Sequence, residues 1–157
     1  MTMPSPSTPP PSESSPSESP LLESSPSESA AGDLLDAARR VASRAHAPYS
    51  GFRVGAIAVA ADGTRFEGVN VENAAYPATS CAEANAIAAA VTGGADRIAI
   101  VAVGCLDADE CYPCGNCRQI MREFGVGHVV VQGPGGRLRI DTLADLLPHS
   151  FGPESLP

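Results

Sequence analysis

The sequence predicts an α/β fold, a three-layer α/β/α sandwich around a mixed five-stranded sheet. Three observations carry this. The runs Arg97–Cys105 (RIAIVAVGC) and Val126–Gln132 (VGHVVVQ) are short and almost continuously apolar, as strands buried on both faces must be. Each lies beside a segment of helical character, so helices have to cover the sheet. The β-rich runs Phe52–Ala60 and Thr64–Val71 are separated only by Ala61-Asp62-Gly63, a turn that joins them as an antiparallel hairpin and makes the sheet mixed.

The elements follow in order. Residues 1–29 are dominated by Pro and Ser, with Glu13, Glu18, Glu23 and Glu28 as the only charges, and the run Glu13–Ser19 (ESSPSES) recurs at Glu23–Ser29. Such a composition offers too little apolar surface to recover the entropy of ordering, so a disordered tail is expected there, followed by one globular domain over 30–157. Asp33 is placed to cap a helix whose apolar positions Leu34, Leu35, Ala38, Val41, Ala42 and Ala45 recur at helical spacing, ending before Pro48. After the hairpin, Cys81–Val91 (CAEANAIAAAV) reads as an Ala-rich helix stopped by Gly93-Gly94. The strand Arg97–Cys105, a helix over Cys114–Phe124 ending at Gly125, and the strand Val126–Gln132 come next. Arg137–Ile140 adds a short strand and Thr142–Leu147 a last helical turn or two.

Composition narrows the function. A chain of 157 residues suits one domain, and its net charge is −8 with ten basic residues, every one Arg. An acidic chain is poorly suited to a phosphate backbone or an anionic bilayer, so neither nucleic acid nor membrane is expected as a partner. No apolar stretch approaches the roughly 18–20 residues of a membrane span, and no basic leader with an apolar core opens the chain. Five cysteines, three of them within seven residues (Cys111, Cys114, Cys117), fit metal ligation in a reducing cytoplasm better than a disulfide framework.

Two segments carry chemistry. Cys81-Ala82-Glu83 stands at one predicted helix start and Pro113-Cys114-Gly115-Asn116-Cys117-Arg118-Gln119 at another. Cysteines at i and i+3 on a first helical turn point both sulfurs at one place, and a third from a neighbouring helix end completes a face around Zn²⁺ with the fourth position open. Helix N-termini stabilise the thiolates. Glu83, two residues past the first sulfur, lies where a proton carrier beside the metal has to be. The competing assignments are a closed four-cysteine structural site completed by Cys105 or Cys111, and a non-catalytic zinc-stabilised interaction module. An iron–sulfur run fails because position 121 is Met.

These motifs resemble the all-cysteine, homotetrameric class of cytidine deaminases. The resemblance also takes in Ala47-Pro48-Tyr49-Ser50-x-Phe52-x-Val54-Gly55, Gly68-x-Asn70-x-Glu72-Asn73-Ala74-x-Tyr76 and Leu147-Pro148-x-x-Phe151, so it runs from about Asp33 to Phe151. It implies one Zn²⁺ per subunit held by Cys81, Cys114 and Cys117, with Glu83 as proton shuttle. It implies substrate contacts from Phe52, Asn70, Glu72, Ala82, Tyr76 and Phe151, the last two reaching into a neighbouring subunit of a homotetramer. The implied reaction is deamination of cytidine and 2′-deoxycytidine to uridine and 2′-deoxyuridine in pyrimidine salvage. One departure stands out: the residue after Glu83, often Arg in this class, is Ala84, a feature shared with blasticidin S deaminase. A cytosine nucleoside antibiotic is therefore the alternative substrate, and helix dipoles, backbone N–H groups or Arg118 are the candidates to offset the thiolate charge.

Overall fold

The computed structural model describes Leu21 and residues 24–156. Apart from Leu21 and residues 24–29, the expected disordered tail lies outside the described residues. The first helix, α1, spans Glu28–Ala42 and begins five residues before Asp33. Its N-cap is Ser27, whose hydroxyl accepts the Ala30 N–H at 3.2 Å, and Glu28 faces the positive end of the helix dipole. Asp33 is thus an exposed residue inside the helix rather than its cap. Two residues of the second ESSPSES run, Glu28 and Ser29, are helical.

The five strands are β1 Val54–Ala60, β2 Arg65–Val69, β3 Ile98–Cys105, β4 His128–Gln132 and β5 Leu138–Thr142, in the sheet order β2-β1-β3-β4-β5. Only β3 and β4 pair in parallel, so the sheet is mixed as expected. Between the strands lie α2 (Ala82–Thr92), α3 (Gly115–Glu123) and the single turn α4 (Leu143–Leu146), capped by the Thr142 hydroxyl accepting the Asp145 N–H. α1 covers one face, burying Leu34, Leu35 and Ala38 against Ile57, Ile100, Ala102 and Val130. Opposite it, α2 and α3 bury Ile87 and Met121 against Ala58, Val101, Val103 and Val131. Full burial of a side chain the size of Ile87 or Met121 contributes roughly 1.5–3 kcal/mol.

The topology decides where the helices start. β2 and β3 are each antiparallel to β1, so they run the same way, and the helices that follow them begin at the same sheet edge. Both helices open one residue later than the sequence pattern indicates, because Cys81 and Cys114 take the N-cap positions in extended conformation. α2 lies almost on the backbone of β2: a Cβ at Gly68 would stand 2.3 Å from the Ala82 carbonyl oxygen and from the Ala86 nitrogen. Glycine is what allows that approach.

Candidate active site

Two helix N-termini meeting at one edge bring Cys81, Cys114 and Cys117 together. The Cys81 and Cys114 sulfurs are 3.8 Å apart, those of Cys114 and Cys117 3.6 Å, and all three lie within 4.8 Å of one another. Zinc bound tetrahedrally by thiolates sits about 2.3 Å from each sulfur, which spaces the sulfurs about 3.8 Å apart. Donor type and spacing therefore fit Zn²⁺. This is the one such group of potential ligands among the described residues. Cys105 and Cys111 are buried outside it, Cys105 with its thiol on the Ala108 carbonyl, which removes both as a fourth sulfur.

Neither N-cap cysteine makes a side-chain capping hydrogen bond, and each stands at the positive end of a helix dipole. Hydrogen bonding from Cys117, and then Cys114, holds the Cys81 thiol down at about 6, while Cys117 is pushed up by the same contact and by burial. Glu83, in the first turn of α2, is 4% exposed. Burial pushes its carboxyl up to about 7, its own backbone N–H and the Cys117 thiol pull it down, and the Cys81 charge adds to the rise. A carboxyl near 7 beside a three-sulfur cluster can take and return a proton at neutral pH.

The Cys111–Cys114 approach is braced from behind. Gln132, buried at the end of β4, accepts from Arg39 Nη1 at 3.1 Å and donates to the Ala108 and Asp109 carbonyls at 3.0 Å each. Cys111 pairs its main chain with the same residue, its N–H donating to the Gln132 carbonyl at 2.9 Å. Arg118 donates to the Pro113 and Leu146 carbonyls at 2.9 and 2.8 Å and makes no ion pair among the described residues. Ala84 is half-buried in α2.

The polar pair of the upstream motif fastens a loop. Val71 and Ser80 pair their main chains at 2.9 and 3.0 Å, so residues 72–79 form a closed excursion with Glu72 at one foot and Cys81 at the other. The Glu72 carboxylate accepts the Tyr49 N–H at 2.8 Å, the Ser50 N–H at 3.2 Å and the Ser50 hydroxyl, contacts that hold it below the usual carboxylate range. Asn70 donates to the Phe52 carbonyl and accepts the Val54 N–H. Together they fold the segment that presents Phe52, which is 37% exposed. Ser50 and the main chain of Tyr49 are members of this network that polarity alone did not single out, although both sit inside the motif.

The remaining residues of interest differ in exposure. Tyr76 packs edge-on against Tyr49, ring centroids 6.3 Å apart, and is 74% exposed. Phe151 is exposed on the C-terminal segment, and Ala82 is fully buried as the first residue of α2.

Comparison with known proteins gives a consistent result. Residues 29–132 match the family model described as the cytidine and deoxycytidylate deaminase zinc-binding region. The cytidine deaminase of Mycobacterium tuberculosis is 39% identical over 122 residues, covering 76% of this chain and 88% of that protein. That of Sporosarcina psychrophila is 38% identical over 125 residues, covering 78% and 92%. Among solved structures, the cytidine deaminase of Burkholderia pseudomallei superposes with a TM-score of 0.71 at 40% identity, covering 76% of this chain and 98% of that one. The Mycobacterium leprae enzyme gives 0.66 at 37% identity, covering 75% and 97%.

Proposed function

The chain belongs to the cytidine deaminase family, and from that membership we propose that it hydrolyses cytidine and 2′-deoxycytidine to uridine and 2′-deoxyuridine with release of ammonia. The observation that carries this is the buried Glu83 carboxyl beside three cysteine sulfurs spaced for one zinc ion. Zinc held by Cys81, Cys114 and Cys117 supplies the Lewis acidity that activates water at neutral pH.

The chain's own residues do the rest. Glu83 takes a proton from the attacking water and gives it to ring nitrogen N3, which makes C4 the electrophile. It then passes the second proton of that water to the departing amine, so that cytidine and water leave as uridine and ammonia. Burial keeps bulk water from competing for this carboxyl and holds its proton affinity near the working pH. Phe52 offers an aromatic face to a flat base. Glu72 has lone pairs left for a ribose hydroxyl beyond those its turn uses, and Asn70 steadies Phe52. Tyr76 and Phe151, exposed on separate loops, suit contacts with a neighbouring copy in a homotetramer.

The catalytic unit in this reading is the globular part that begins with α1, and its role is pyrimidine salvage. No helix among the described residues is long and apolar enough to cross a membrane. Five free thiols suit the reducing cytoplasm, where thiolate ligands stay available.

The test is an ultraviolet absorbance assay with cytidine, deoxycytidine, CMP and blasticidin S, with and without chelator. Chelator-sensitive turnover of the two nucleosides is expected. Turnover of blasticidin S with cytidine poor would redirect the assignment to the antibiotic class that shares Ala84's lack of an Arg, and no turnover at all would leave a zinc-stabilised module.

A further inference from the structure

The helix that carries two of the sulfurs also fastens the C-terminal segment. Directly after Cys117, the α3 side chains Arg118, Gln119 and Arg122 occupy neighbouring positions on one face. Arg118 donates to the Leu146 carbonyl at 2.8 Å, Gln119 Nε2 to the Phe151 carbonyl at 2.9 Å, and Arg122 Nε to the Ser150 hydroxyl at 3.0 Å. Arg122 Nη2 also meets the Glu154 carboxylate at 2.5 Å. The segment so pinned has little structure of its own, a short 3₁₀ turn at Pro153–Ser155. It contains the one non-glycine residue with a left-handed backbone among those described, His149 at φ 54°. A chain held in that region needs its surroundings to keep it there. Gly152 is buried between exposed neighbours, and a Cβ there would stand 2.5 Å from the Glu154 carboxylate and 2.7 Å from Arg122 Nη2. A bare backbone at 152 is what lets the ion pair close over the segment.

We propose that Gln119 and Arg122 are positioning residues for Phe151, Gln119 through the Phe151 carbonyl and Arg122 through Ser150 and Glu154 on either side of it, so that the metal-bearing helix fixes where this aromatic ring stands. Cys114 and Cys117 set the first turn of α3, and the next turn sets Phe151. The 59% exposure of Phe151 leaves its ring free to contact something beyond this chain's own core. Its contribution to catalysis rests on the function proposed above; its placement by α3 does not.

The chain has no Trp, so Phe151→Trp gives a single Trp in the full-length, zinc-loaded protein, read by red-edge excitation that spares the three Tyr. In that background, Gln119→Ala combined with Arg122→Ala is expected to lower the anisotropy of the Trp and to raise its acrylamide quenching about twofold, with Arg122→Lys recovering part of the loss. Gly152→Ala should do the same while leaving every α3 residue intact, which keeps the test open if the double variant folds poorly. Unchanged anisotropy and quenching in a folded double variant and in Gly152→Ala would overturn the proposal. In the Phe151 protein, the same substitutions should raise the KM for cytidine about fivefold with kcat within about twofold. A fall in kcat at unchanged KM with the Trp readouts unmoved would also overturn it, because that would mean that these residues act on α3 and the metal rather than on the segment. A loosened Trp with KM and kcat both unchanged would support the positioning and refute the catalytic use of Phe151.

Discussion

Asn70 braces Phe52 through the main chain: its Nδ2 donates to the Phe52 carbonyl at 2.9 Å while its Oδ1 accepts the Val54 N–H at 2.8 Å. Both polar ends of the side chain are therefore engaged where the chain enters β1. Asn70→Ala leaves a carbonyl and an N–H without their partner, at a cost of about 1–3 kcal/mol, and lets Phe52 shift. The expected outcome is a lower urea midpoint together with a KM for cytidine raised about tenfold. Asn70→Asp, which keeps the acceptor and loses the donor, should fall between. Wild-type stability in Asn70→Ala would contradict the bracing role.

Gly68 and Gly55 offer a paired test of which helix matters to the metal. A Cβ at Gly68 would meet backbone atoms of α2 at 2.3 Å, and one at Gly55 would meet the Ala38 carbonyl oxygen of α1 at 2.1 Å. Either alanine should destabilise the fold by about 1–3 kcal/mol. Only Gly68→Ala displaces the helix that carries Glu83 and follows Cys81, so only it should weaken zinc, by about tenfold in competition with a chelator. Equal zinc affinity in the two variants would mean that the Cys81 end of the site does not depend on α2.

Arg53 and Asp107 join the start of β1 to the loop after β3 and give a pH signature. The Asp107 carboxylate accepts Arg53 Nε at 3.0 Å, Nη2 at 2.7 Å and the Arg53 N–H at 2.8 Å, and these contacts hold its pKa at about 2, below the ordinary 3.8. A carboxyl depressed in the folded state adds stability that is fully present above its unfolded pKa and is lost as pH falls through the folded value. Thermal midpoints should therefore drop between about pH 4 and 2, and Asp107→Asn should flatten that part of the curve. A slope identical to wild type would show the pair to be inert.

Much of this was legible in the sequence, for identifiable reasons. Arg97–Cys105 and Val126–Gln132 announced β3 and β4 because strands buried on both faces need unbroken apolar runs. Cys114 and Cys117 announced the metal cluster because spacing of three on a first helical turn converges two sulfurs, wherever the rest of the chain goes. The start of α1 was hidden, since Ser27 and Glu28 lie within a Ser/Glu/Pro repeat whose composition masks an ordinary serine cap. Asn70 and Glu72 were visible as polar residues at a strand end, but their grip on Tyr49–Val54 was not, because an internal turn and a ribose make the same demand on a carboxylate or an amide. Arg118 looked like a counter-charge for the thiolates, yet its partners are main-chain carbonyls, one of them 28 residues away in sequence. Contacts of that range depend on the finished topology and leave no local pattern.

The most direct test is turnover of cytidine by Glu83→Gln measured on protein whose zinc content is determined in the same sample. The amide keeps the size of the side chain and removes its capacity to carry a proton, while the three sulfurs are untouched. One zinc per chain with turnover reduced about 10³-fold is the predicted result. Turnover near that of the unaltered protein at full zinc content would contradict it, for then some other group moves the proton.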